Sequence, residues 1–139
     1  MFISDLCFCL NGKKKETKAF LIGKNQYKKV FLKDFFDIEV NNFDDFQTIP
    51  ADINGNKITL LMHSDTVTDE NLRNIQLEHC SHLIFLTDED VEQFYKKPTI
   101  LFLMRGVSHQ RNREHYTVIN YENNLDDIKT TFKEIIFNK

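Results

Sequence analysis

The chain has 139 residues, enough for one ordinary domain and too few for two well-cored ones. Its 41% hydrophobic and 28% charged residues contain no apolar run near the roughly 20 residues needed to cross a bilayer, which excludes an integral helical membrane protein. A net charge of -3 excludes an overall field for nucleic acid, and three cysteines, Cys7, Cys9 and Cys80, are too few for a disulfide framework, so the expected compartment is intracellular, cytoplasmic or nuclear.

Residues 1–16 read as an amino-terminal extension before a domain over 17–139. The apolar run at 1–10 lacks a basic lead and carries Asp5, so no signal peptide is expected. Phe2 and the terminal Lys139 leave no myristoylation or prenylation signal, and no direct membrane anchor is expected. Charge comes in blocks. Positions 11–33 hold eight Lys against one Glu, 34–54 hold six acids and no base, and 65–92 hold eight acids against Arg73.

The run 18–23 is short, apolar and stopped by Gly23, which marks a buried strand entering a turn. Val30, Phe31, Asp34, Phe35 and Ile38 then recur at three- and four-residue spacing, predicting an amphipathic helix over 28–37. Two strands, 46–53 and 57–63, flank Asn54-Gly55, the dipeptide that suits a two-residue hairpin because both positions take positive φ. A second helix is expected at 68–79, where Thr68 and two early acids precede Leu72 and Ile75. The pattern continues with a strand at 81–87, a short acidic helical turn at 88–97, and a strand at 98–104 with Pro98 first, where it removes no ladder donor. After a polar loop come a last strand at 116–121 and a helix over 124–138. That helix carries Asp126 and Asp127 at its amino end and Leu125, Ile128, Phe132, Ile135 and Ile136 on its inner face. Strands that alternate with helices and are nearly all apolar predict an α/β fold in three layers: a mainly parallel sheet with one antiparallel edge strand.

This order resembles the small GTPases of the Ras and Rab superfamily, and local sequence is similar at matching places over about 17–139. Gly23-Lys24-Asn25-Gln26-Tyr27-Lys28-Lys29-Val30 falls where that family carries its phosphate loop, G-x-x-x-x-G-K-[ST], with Gly23 and Lys29 matching. Ile53 to Ile58 is similar to the second hairpin turn, and Asp65-Thr66-Val67-Thr68-Asp69-Glu70 to the D-T-A-G-Q-E segment, with Arg73 in register. The strand after it and the run from Tyr121 to Phe132 are similar as well. The resemblance implies a P-loop or Ras-like fold with trimmed helices, and a nucleotide site reduced to vestiges at Gly23, Lys28, Lys29, Val30, Asp65, Thr68, Met104 and Arg105. Thr48 stands near the expected switch threonine but close to the hairpin turn.

Departures from the family each remove a physical part of nucleotide chemistry. Lys28 crowds a cradle built for glycine, and Val30 replaces the hydroxyl that would ligate Mg²⁺. Thr68 and Asp69 replace the glycine and glutamine that would sense the γ-phosphate and orient water. Met104-Arg105-Gly106-Val107 lacks the carboxylate that would read guanine. The implied protein is a pseudoGTPase, a nucleotide-independent interaction module serving as subunit or adaptor of an intracellular assembly, with no catalysis and no cofactor. One alternative is a divergent GTP/GDP switch with Mg²⁺, in which Lys29 meets phosphate and Asp65 the metal. Another is a flavodoxin-like domain binding a different ligand. The loop after the fifth strand is similar to that of centromere protein M, so kinetochore adaptors join membrane-traffic and ciliary complexes among the implied settings.

An interaction face is expected where Phe43, Phe46, Ile49 and Leu72 stand among Asp44, Asp45, Asp69 and Glu70, apolar anchors in an acidic rim suited to a basic protein partner. Arg105, His109, Arg111, Arg113 and His115 make a small basic loop, read as solvated, and nucleic acid is not an expected partner. His79, Cys80 and His82, and the Cys7/Cys9 pair, lack the second pair that a zinc site needs, so no metal is expected.

Overall fold

The computed structural model describes residues 17–44, 47–63, 80–88, 99–105, 111–112, 116–121 and 124–137. Among them the order is β1 (Lys18–Gly23), α1 (Asn25–Phe36), β2 (Thr48–Ile53), β3 (Asn56–His63), β4 (His82–Thr87), β5 (Thr99–Leu103), β6 (Arg111–Asn112), β7 (Tyr116–Asn120) and α2 (Leu125–Phe137). The expected helix at 68–79, the turn at 88–97 beyond Asp88, and the extension at 1–16 lie outside the described residues.

The strands form one sheet in the order β2-β3-β1-β4-β5-β7-β6. β3, β1, β4, β5 and β7 run parallel, and β2 pairs antiparallel with β3 through the Asn54-Gly55 turn. The fold is α/β, as the pattern of apolar runs predicts. At the far edge the two residues of β6 pair antiparallel with β7, inside what the sequence presents as a polar loop.

The central strands are apolar along most of their length because both faces are buried. In β1, Ala19 and Leu21 enter one core while Phe20 and Ile22 enter the other, and β5 divides Ile100 and Phe102 from Leu101 and Leu103 in the same way. α1 and α2 cover the first face together, contributing Phe31, Leu32, Phe35 and Phe36 from one helix and Ile128, Phe132 and Ile136 from the other. Their meeting point is aromatic. The Phe31 and Phe35 rings stack at 4.5 Å, and Phe132 stands edge-on to both at 5.7 and 5.4 Å. Each such pair adds about 0.5–1.5 kcal/mol beyond the area it buries. The second face is buried over Phe20, Ile22, Leu83, Leu101, Leu103 and Val118.

The hairpin turn has φ of 53° at Asn54 and 87° at Gly55, the positive pair that a type I′ turn requires, and the Asp52 carboxylate accepts the Gly55 amide at 2.9 Å. α1 ends on Asp37, which takes φ 57°; its amide donates to the Lys33 carbonyl and the next amide, of Ile38, to the Leu32 carbonyl. The Asp37 side chain meets Lys33 at 2.9 Å, and that ammonium holds the Asp37 carboxyl below its usual range.

Candidate functional site

The segment expected to hold phosphate begins at Gly23, the last residue of β1. Its φ is 149°, and a Cβ there would lie 2.6 Å from the Leu86 carbonyl oxygen, so only glycine lets β1 pass this close to β4. One residue later the helix has begun. Lys24 is the N-cap, without a side-chain cap bond, and its carbonyl accepts the amides of Tyr27 and Lys28 at 3.0 Å each. The expected helix start at Lys28 is therefore corrected to Asn25. Residues 25–28, assigned by the resemblance to a phosphate-wrapping loop, are helical, and amides from Lys28 onward point along the helix axis to their own carbonyls.

This geometry disperses the three lysine and valine positions of the vestigial motif. Lys28 turns inward, 2% exposed, with its Nζ 5.2 Å from the centre of the Phe43 ring, while Lys29 and Val30 face outward and Val30 is 44% exposed. Inward and outward residues alternate at helical spacing, so the two positions that would serve phosphate and metal lie on the solvent side of α1.

The sheet order changes direction at β1. The chain places β3 and β2 on one side of it and β4, β5 and β7 on the other, so the crevice between the carboxyl ends of β1 and β4 is where ligands of open α/β sheets bind. Four polar side chains collect at that point. The Tyr27 hydroxyl donates to Asp88 Oδ1, the Lys24 Nζ stands 4.0 Å from Asp88 Oδ2, and the Arg105 Nε stands 3.9 Å from Oδ1. The hydrogen bond to Asp88, helped by burial and the Asp88 charge, pushes the Tyr27 hydroxyl pKa up. Of these four, sequence reasoning singled out Arg105 alone. The signal available was position: Lys24, Asp88 and Arg105 are each the first or second residue beyond a parallel strand, at the carboxyl end of the sheet. Met104 is half-buried against the first core, and its amide donates to the Thr87 carbonyl at 2.8 Å.

At the expected interaction face the structure makes two corrections. Ile49 is 8% exposed and belongs to the first core with Ala51 and Ile53, because strand alternation turns all three inward. Phe43 packs against the same core and over Lys28, so neither is a free apolar anchor. Asp44 is exposed, with its amide donating to Gln47 Oε1 at 3.0 Å, and Thr48 is exposed at the start of β2. Asp45, Phe46, Asp65, Thr68, Asp69, Glu70 and Leu72 lie outside the described residues.

Away from the crevice, a groove of about 430 Å³ runs between the end of α1, the hairpin turn and α2. Three of its four acids are engaged within the fold: Asp34 accepts from the Tyr121 hydroxyl, Asp37 from Lys33 and Asp52 from Gly55. Among the described residues no three His, Cys, Asp or Glu side chains gather in a metal-binding group. Cys80 is buried, and His82 Nδ1 lies 2.8 Å from Ser81 Oγ. Among the described residues no helix is long and apolar enough to cross a membrane. No family model matches the chain, and no curated protein matches it.

Proposed function

We propose that this chain is a nucleotide-independent interaction module, a pseudoGTPase that keeps a Ras-like arrangement and works through its surface as a subunit or adaptor of a larger intracellular assembly. The observation that carries this reading is the junction of β1 and α1. A phosphate loop needs several non-helical residues whose amides converge on an anion, whereas here Lys24 alone joins strand to helix. Lys29 and Val30 face solvent, away from any phosphate or Mg²⁺ at the end of β1.

Electrostatics support the same reading. The carboxylate of Asp88 stands at the crevice in front of Lys24 and Arg105, an anion where a nucleotide would bring several more. What remains for partners is the outer surface, including exposed Asp44 and the outward residues of β2, Thr48, Pro50 and Asp52. The acid-rich rim favours a partner with a basic face, whose association quickens at low salt.

The test is the nucleotide content of protein purified without added nucleotide, measured by acid extraction and chromatography. The expected result is guanine nucleotide far below one equivalent per chain. A stoichiometric guanine nucleotide would overturn the reading in favour of a divergent switch.

A further inference from the structure

Side chains from separate elements aim at one point where the parallel strands end. Lys24 follows β1, Asp88 follows β4 and Arg105 follows β5, and the two cations approach opposite oxygens of the Asp88 carboxylate at 4.0 and 3.9 Å. Both separations lie beyond hydrogen-bond range, so the cations face the carboxylate without being bonded to it. The direct bond comes from the Tyr27 hydroxyl, which fixes the carboxylate against α1.

The charges of this group do not cancel. Lys24 and Arg105 contribute two positive charges and Asp88 one negative, leaving one positive charge among the four side chains. The cations are open to solvent, with 53% and 74% of their side chains exposed, whereas Asp88 is about one-third exposed between them. Two accessible cations converging on one anion-sized space are a receptor for an oxyanion, and the space is filled by the protein's own carboxylate.

We propose that Asp88 is a built-in competitor at an oxyanion-receptive corner: its carboxylate holds the place between Lys24 and Arg105 that a phosphate-bearing ligand would take. An incoming phosphate dianion would meet a like charge at close range, and even in well-solvated surroundings two negative charges about 5 Å from a third cost roughly one order of magnitude in affinity. Neutralising Asp88 leaves both cations in place and removes that repulsion. The corner recognises the phosphate group itself, whether it arrives as inorganic pyrophosphate or on a nucleoside.

The experiment is calorimetry on the full chain at one low salt concentration, with inorganic pyrophosphate and GDP as separate probes, for wild type, Asp88→Asn, Asp88→Ser and Asp88→Asn combined with Arg105→Gln. Both single variants are expected to bind pyrophosphate about tenfold or more tighter than wild type, GDP to gain by a similar factor, and Arg105→Gln to abolish the gain. Circular dichroism and melting confirm the fold, and either single variant suffices should the other not fold. A folded Asp88 variant with wild-type affinity, a gain that survives Arg105→Gln, or a gain for GDP without one for pyrophosphate would overturn the proposal. The comparison is with wild type, so it stands apart from the nucleotide-content test: nucleotide in the wild-type protein would sink the interaction-module reading, and only the variants decide the role of Asp88.

Discussion

Glycine at the end of β1 and glycine in the hairpin turn have the same side chain and different reasons for it. At Gly23 the φ of 149° and a Leu86 carbonyl oxygen 2.6 Å from any Cβ act together, whereas Gly55 has φ 87° and open space around it. Gly23→Ala is therefore expected to destabilise the fold by about 3 kcal/mol or more, because backbone must move, and Gly55→Ala by about 1 kcal/mol, the conformational part alone. Denaturant midpoints for the two variants check the order, and equal losses would refute it. Tyr121 belongs to the same scale. Burial, and then its hydrogen bond to Asp34, push the Tyr121 hydroxyl pKa well above 10.0. The unfolded chain ionises this group near pH 10, so above that pH the unfolded state binds fewer protons than the native state and stability falls as pH rises. Below pH 10 the contribution is fully present. Tyr121→Phe is expected to cost about 1 kcal/mol at neutral pH and to flatten the loss of stability above pH 10, measured by chemical denaturation across an alkaline series.

Elements with a strong period were legible in the sequence, and elements without one were not. The bounds expected for β1 are the observed ones, and those for β3, β4, β5 and β7 lie within a residue at each end, because burial makes an apolar run that turn residues interrupt; α2 matches as closely because its apolar residues recur at helical spacing. β2 begins two residues after its expected start at 46. The start of α1 was placed three residues late, since Lys24 offers no capping side chain and residues 25–27 carry no apolar stripe beyond Tyr27. β6 escaped because two residues have no period at all. Pro50 shows how an edge strand is managed. The Met62 amide donates to the Gln47 carbonyl at 2.9 Å, so the antiparallel alternation turns the backbone groups of Ile49, Ala51 and Ile53 to β3 and those of Thr48, Pro50 and Asp52 to the outer edge of the described sheet. Proline at the middle outward position withholds the donor that a docking strand would use. Pro50→Thr restores that donor and a β-branched side chain. It is expected to leave stability within about 0.5 kcal/mol while producing concentration-dependent self-association in sedimentation velocity. A variant that remains monomeric over the full concentration range would show that Pro50 does not guard this edge.

At the scale of the whole molecule, topology does what no local motif could: it brings Lys24, Tyr27, Asp88 and Arg105 together across 61 residues between Tyr27 and Asp88 alone. Motif reading along the chain compares neighbours in sequence and so weighed Lys28, Lys29 and Val30, whereas the crevice is assembled from the first polar residues beyond three strands. The same assembly sets the expected nucleotide affinity. A bound nucleotide would need amides wrapped around its phosphates, a cation on them, a metal ligand and a base contact. Here the amides from Tyr27 onward are spent within α1, Lys29 and Val30 face solvent, and Asp88 stands before the two cations of the crevice. Losing even two such contacts at a few kcal/mol each converts tight binding to weak binding. The expected GTP affinity is no better than roughly 100 µM, about -5.5 kcal/mol, with or without Mg²⁺. Calorimetry on wild-type protein checks this, and sub-micromolar binding that depends on Mg²⁺ would mean that the β1–α1 junction rearranges around phosphate and that the chain is a switch.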